Sequence, residues 1–325
     1  MQKHERIVLR MLVGLVIGLP VADAGAQGYP ARPIRMIFGF GAGGAGDIAA
    51  RLIAQKMSDS LGQAVVVENR PGAGGSIADE LVARSPAEGH TLLFAAGAFA
   101  TLPALRAKLP YDVERDFAPV SLVVLTSFML AVHPSVPVRD VSTLIALARS
   151  RPGKLTFSSP GVGSSAHFAG ELFKQMADLK LLHVPYKGAA EAATAVAAGH
   201  IDIGFPSVTA ALPLLGARKL KGLAVSSAKR AALMPSLPTL DEAGLTGYQR
   251  TGWNGVLAPA GVPKEIIARL NAVIVKAVNT PEMKETLVKQ GFEAQGSTPE
   301  QFGAFIRNEL AQNARLAKFA GVKIE

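Results

Sequence analysis

Residues 34–57 read IRMIFGFGAGGAGDIAARLIAQKM, and this stretch decides the fold. Ile34 to Phe38 is a short apolar run ended by glycine, the length and composition of a buried strand. After Asp47 the period changes. Ile48, Leu52, Ile53, Met57 and Leu61 recur at helical spacing. Between the two lies GAGGAG at residues 41–46, in the G-x-G-x-x-G spacing of a dinucleotide-binding turn. Glycines let the backbone turn tightly and turn its N–H groups toward a ligand. The helix N-terminus behind them adds partial positive charge. Together they form an anion site that needs no cationic side chain and accepts phosphate or carboxylate alike.

The same alternation continues outward. Residues 64–68 (AVVVE) predict a second strand, 77–84 a helix and 91–95 (TLLFA) a third strand. Near residue 120, VSLVVLTSFMLAVHP gives two apolar strands parted by Thr126 and Ser127, the pattern of a chain crossing between domains. A second α/β unit follows, with helices over 141–149, 166–176 and 189–198. Its strands are expected over 155–158, from 182, over 201–205 and over 220–225. Beyond Trp253, itself read as packing near a domain crossing, GVLAPAG predicts a return strand. Residues 266–278, 281–290 and 299–319 predict helices. This order favours two largely parallel, doubly wound sheets with right-handed connections. Such sheets bind ligands beyond the carboxyl ends of their strands. With two lobes, the natural site is the cleft between them.

A second loop of the same kind, SSPGVGSSAH at residues 158–167, follows a strand and opens a helix. It adds hydroxyls to the glycine backbone, and Ser164 or Ser165 suits a helix N-cap. Two anion-seeking loops, one per lobe, suit a carboxylated molecule pinched between them. Two other chemistries compete. Glu68 stands where a ribose-binding acid of a dinucleotide site would lie. Against that reading, Asp47 at the helix start caps N–H groups and repels a pyrophosphate. Ser164 or Ser165 with His167 invites a serine hydrolase reading. No G-x-S-x-G elbow accompanies them, and a locally bonded His167 is the plainer reading.

The N-terminus, MQKHERIVLRMLVGLVIGLPVADAGAQ, has a basic start, a short apolar run and A-x-A at residues 24–26, the layout of a secretory signal peptide cut after Ala26. The run is too short to span a bilayer, which takes about 20 apolar residues. Removing 1–26 leaves 31 basic and 23 acidic residues, a net charge of 31 − 23 = +8. The bases are scattered, which argues against a nucleic-acid groove and for a surface that attracts small anions. Cysteine is absent, which excludes disulfides and thiol chemistry. The histidines at 4, 90, 133, 167, 183 and 200 show no metal-ligand spacing. No cofactor, metal or catalytic residue is expected.

At these loops the sequence resembles the periplasmic receptors of tripartite tricarboxylate transporters, the Bug-type solute-binding proteins. The matching blocks include YPARPIRMIFGFGAGGAGDIAAR, LGQAVVVENRPGAGGSIA, LPYDVERDFAPVSL, RPGKLTFSSPGVGSSAHFAGELF, HVPYKGAAEA and GWNGVLAPAGVP, and they span nearly the whole mature chain. The resemblance implies a two-lobed, type II-like α/β clamp, each lobe a mostly parallel sheet flanked by helices. Domain 1 is expected over 27–127 plus 250–325 and domain 2 over 128–249. It implies an exported, monomeric, non-enzymatic receptor for a small organic acid, partnered by the transporter's membrane components. Carried over by motif, Phe40, Ala42, Gly43, Gly44 and Asp47 serve the first lobe. Ser159, Gly163, Ser164, Ser165 and His167 serve the second, with Tyr186 and Ser207 lining the cleft. Where the family's first loop carries prolines around the phenylalanine, this chain has Gly39 and Gly41, which predicts a looser loop.

Overall fold

A computed structural model describes residues 28–322. The expected leader lies outside the described residues. The first lobe opens with β1 (Ile34–Phe38), α1 (Ala45–Leu61), β2 (Val65–Asn69), α2 (Ser76–Ala83), β3 (Thr91–Ala96), α3 (Ala98–Leu105) and β4 (Phe117–Ser127). The chain crosses at Phe128 into β5 (Met129–Val132), α4 (Val141–Ser150), β6 (Thr156–Ser159) and α5 (Ser165–Ala177). It continues through β7 (Leu182–Pro185), α6 (Ala189–Ala197), β8 (Ile203–Gly204), α7 (Val208–Gly216) and β9 (Lys221–Val225). It then returns to the first sheet with β10 (Thr251–Pro259), α8 (Lys264–Val278), α9 (Pro281–Lys289), β11 (Phe292–Ala294) and α10 (Pro299–Ala320).

The strand orders are β11-β4-β10-β3-β1-β2 and β7-β6-β8-β5-β9. Each sheet has a parallel core, β2-β1-β3 in one and β7-β6-β8 in the other. The strands by which the chain enters each lobe from the other are antiparallel to these cores: β10 to β3, and β5 to β8. A chain that leaves a lobe and comes back must run both ways, so the parallel expectation holds only away from the crossings. The expected strand over 201–205 shrinks to Ile203–Gly204, although Pro206 O still accepts the Met129 N–H and Ser207 bridges Phe128. The helices α3 and α7 and the strand β11 were not expected.

Helix α1 shows how local sequence fixes the packing. Its buried side is Ala49, Ala50, Ile53, Ala54, Met57 and Leu61, while Ile48 and Leu52 are only half-buried. The stripe is rotated from the one read by hydrophobicity alone, because small alanines let a helix lie close on a sheet. The helix ends where Gly62 takes a left-handed conformation and donates its N–H to Ser58 O.

Helix α10 joins the lobes a third time. Phe302 and Ile306 lie in the core of the first lobe, and Leu316 and Ala317 in that of the second. Trp253 is buried against Phe302 and Phe305 with its rings edge-on. Among the described residues no helix is long and apolar enough to cross a membrane.

Candidate ligand-binding site

The two glycine loops leave the carboxyl ends of β1 and β6. Strands β3 and β4 both run antiparallel to β10, so β4 delivers the crossing at Phe128 to the same end of the first sheet. One glycine loop therefore belongs to each sheet, at the end where the chain crosses at Phe128.

In the first loop Phe40, Ala42, Gly43 and Gly44 are exposed. Asp47 turns inward. Its carboxylate accepts the Gly43 N–H (2.9 Å), Arg51 Nε (2.9 Å) and Asn69 Nδ2 (2.9 Å). Burial alone would raise its pKa, but the Arg51 guanidinium, the Gly43 N–H and the Asn69 amide hold it down to about 2. Asp47 thus braces the loop from beneath, taking up a backbone N–H as its place at the helix start predicts. Asn69 Nδ2 also donates to Phe40 O (3.0 Å), tying the loop tip to β2. The Phe40 ring rests on Phe38, with centroids 5.5 Å apart. At Gly39 a Cβ would lie 2.8 Å from Gly75 Cα, so glycine here serves a close backbone approach between two turns.

Glu68, the residue a ribose would need, is already committed. Arg35 binds it bidentately (2.6 and 2.9 Å) and Arg70 adds a third contact (3.0 Å). The hydrogen bond from Arg35 leads the causes that hold its pKa near 2. The dinucleotide reading loses its acid.

In the second loop Ser164 is the N-cap of α5. Its Oγ accepts the His167 N–H (3.1 Å) and donates to Gly161 O (2.8 Å). His167 is buried; its Nδ1 accepts the Gly163 N–H (3.2 Å), and its Nε2 lies 3.7 Å from Glu171 Oε1. No side-chain bond joins His167 to Ser164 or Ser165 among the described residues, so the hydrolase pairing is not formed. His167 supports the loop through its local bond to the Gly163 N–H, in line with the plainer reading of it. Ser159 Oγ sits 2.7 Å from His183 Nε2 and donates to Gly161 O (3.0 Å). Tyr186 is half-buried behind this loop and donates its N–H to Ser159 O (2.9 Å). Ser207 caps α7 by accepting the Ala210 N–H (3.3 Å). Ser165 Oγ carries no hydrogen bond among the described residues and faces Gly97 of the other lobe.

The sequence reading passed over His183, whose ring stacks on that of His167 with centroids 4.0 Å apart. The one signal available was its place in the HVPYKG block. Burial, the neighbouring His183 and Lys174 push His167 down to about 3; burial and Lys174 push His183 down to about 4. In the unfolded chain both titrate near 6.5. Stability from this pair is therefore full above about pH 6.5 and is lost as pH falls toward 4. Asp79, buried against Tyr111 and pushed up to about 7 by burial, acts in the opposite direction. Urea unfolding at pH 7.5 and 4.5 should show a smaller acid loss in His183→Gln than in the unaltered protein. Equal losses would refute this assignment.

Thr101 and α3 were also missed. Thr101 Oγ1 donates to Gly163 O (2.8 Å) across the lobes, and the first glycine loop reaches α3 through Gly75 and Gly74, the latter against Leu102. No hydrogen bond joins the two loops directly among the described residues; α3 is the element between them. A cavity of about 70 Å³ opens on the second-lobe side and is walled in part by Ser159 and Ser207. A larger one, about 210 Å³, lies between β11 and residues 229–233 and includes no residue of either loop.

A family model described as tripartite tricarboxylate transporter family receptor matches residues 49–322. The chain belongs to this receptor family. BugT of Bordetella pertussis is 35% identical over 318 residues, covering 95% of this chain and 98% of that one. Among solved structures, the receptor resembles R. palustris Rpa4515 with adipate, with a TM-score of 0.80 and 35% identity over 91% of this chain and 99% of that one. It also resembles MatC (Rpa3494) from Rhodopseudomonas palustris with bound malate, with a TM-score of 0.75 and 29% identity over 89% and 99% of the two chains. This receptor is thus a mixed α/β solute receptor of the transporter type, with two sheets flanked by helices.

Proposed function

We propose that this receptor works in the periplasm without catalysis. It captures a small carboxylated molecule between its lobes and presents it to the membrane components of a tripartite tricarboxylate-type transporter. The observation that carries the reading is the pair of backbone-donor loops, each between a parallel strand and a helix N-terminus, on opposite sides of the Phe128 crossing. Residues Phe40, Ala42, Gly43 and Gly44 receive the ligand from the first lobe. Ser164 and Ser165 receive it from the second, where Gly163 shapes the turn, with Ser159, Tyr186 and Ser207 in the wall. Asp47 and His167 hold the loops in shape. Closure follows from differential affinity, because the ligand meets both loops only when the gap is shut. Relatives holding adipate and malate support a carboxylate as the common element.

The test is a thermal-shift titration of protein unfolded, stripped and refolded. At least one organic acid should raise the melting temperature in the concentration-dependent way that binding to the native state demands. NAD and ATP should leave it in place. A shift with NAD or ATP and none with any acid would reverse the reading.

A further inference from the structure

The cavity of about 70 Å³ on the second-lobe side is chemically uniform. Its walls include Phe128, Ala166, Ala189, Ala192, Ala193 and Phe205, and no charged residue lines it. Three serines complete it, and most of their hydrogen-bonding capacity is committed inside the protein. Ser158 Oγ donates to Ala192 O (3.0 Å). Ser159 Oγ is held by His183 Nε2 and Gly161. Ser207 Oγ accepts the Ala210 N–H and keeps its own O–H and one lone pair. The cavity opens where β6 and β8 end, beside the second glycine loop and against Phe128.

We infer that this cavity is a pouch for the hydrocarbon part of the ligand. The receptor then selects carboxylates with a compact apolar body, a short alkyl chain or a single ring, over hydroxylated acids. The inference rests on the carboxylate reading above and adds the ligand's class to it. Beyond the Ser207 O–H and the spare lone pairs of Ser158 and Ser207, a buried ligand hydroxyl would meet carbon, and one left unpaired is costly. A buried methylene needs no partner and meets a wall that is mostly carbon. Space sets the upper limit: one water needs about 10–15 Å³ on this measure, so the pouch takes roughly five to seven heavy atoms.

Isothermal titration of the stripped, refolded full chain tests this with straight-chain monocarboxylates from acetate to octanoate, with benzoate, and with 3-hydroxybutyrate and 4-hydroxybenzoate. Affinity should rise about 4-fold per added methylene and then level off near six carbons. Each hydroxylated acid should bind about 10-fold or more weakly than its parent. Ala193→Leu, which fills the pouch, should flatten the series while acetate binding stays. Ala189→Leu, on the exposed first turn of α6, provides the same test with less risk to folding. A series that is flat in the unaltered protein, hydroxylated acids that bind as well as their parents, or a leucine variant that keeps the full chain-length dependence would each overturn the pouch. If no acid in the panel binds, acetate included, the carboxylate reading itself fails.

Discussion

Replacing Arg250 with alanine is expected to lower the unfolding free energy by about 3–5 kcal/mol, the loss typical of breaking a buried ion pair from one side. Arg250 sits where the chain re-enters the first lobe and is fully buried. Its Nη1 donates to Glu309 Oε1 (3.1 Å) and Gln312 Oε1 (2.7 Å), and its Nη2 to Asn313 Oδ1 (2.7 Å), all on α10. The guanidinium carbon also lies 5.7 Å from the centroid of the Phe168 ring in the second lobe. Asn313 passes the connection on to Ala100 O of α3 (2.8 Å). Without the guanidinium, Glu309 keeps only Trp253 Nε1–H (3.2 Å) in a site whose burial already raises its pKa. The loss is the cost of that stranded carboxylate. Arg250→Met combined with Glu309→Met should therefore be less damaging than Arg250→Ala alone, because no charge is left buried. Urea midpoints for the three proteins decide it. A single-variant loss under about 1 kcal/mol, or a double variant worse than the single, would show that the pair does not tie α10 to the crossing.

This clamp could not be read from the sequence. Arg250 and Glu309 are far apart in the chain, and each looks like an ordinary surface charge until the fold brings them together. The parts that were legible share a local cause. A glycine loop between an apolar run and a helical stripe announces itself because only glycine tolerates the turn, and both loops lie where their sequences placed them. The helices α3 (AFATLPAL) and α7 (VTAALPLLG) were illegible for an equally local reason. Both are apolar nearly all round and carry an internal proline, Pro103 and Pro213, so neither shows a helical stripe and each carries a breaker. Missing α3 meant missing the element that joins the two loops. Asp47 and His167 mark the other limit. Their positions beside the loops and their local bonding were evident, but the partners that complete each were not. Asp47 meets Arg51 and Asn69, and His167 meets the Gly163 N–H, so both turn into their own lobe.

The largest effect on binding is expected at Gly163. Its φ is +83°, a region where β-branched side chains are strongly disfavoured. A Cβ there would also lie 2.5 Å from Leu105 Cδ1 of the opposite lobe. Gly163→Val therefore adds two penalties at one position: backbone strain of about 1–3 kcal/mol and overpacking of about 1–3 kcal/mol. Both penalties fall where the second loop meets α3, since the Gly163 carbonyl accepts Thr101 Oγ1 and Leu105 packs beside it. Affinity for any acid that binds the unaltered protein should fall about 100-fold, equivalent to about 2.7 kcal/mol. Leu105→Ala in the same chain should recover the steric part and leave the strain, restoring roughly 10-fold. The calorimetric comparison has a built-in control in Gly153→Val. That residue also has a left-handed φ, of +71°, but a Cβ there meets nothing within 4 Å. It should lose stability and keep affinity, because the strain there lies outside the loop that meets α3. If Gly163→Val binds as tightly as the unaltered protein, the contact of the second glycine loop with α3 does not support ligand binding.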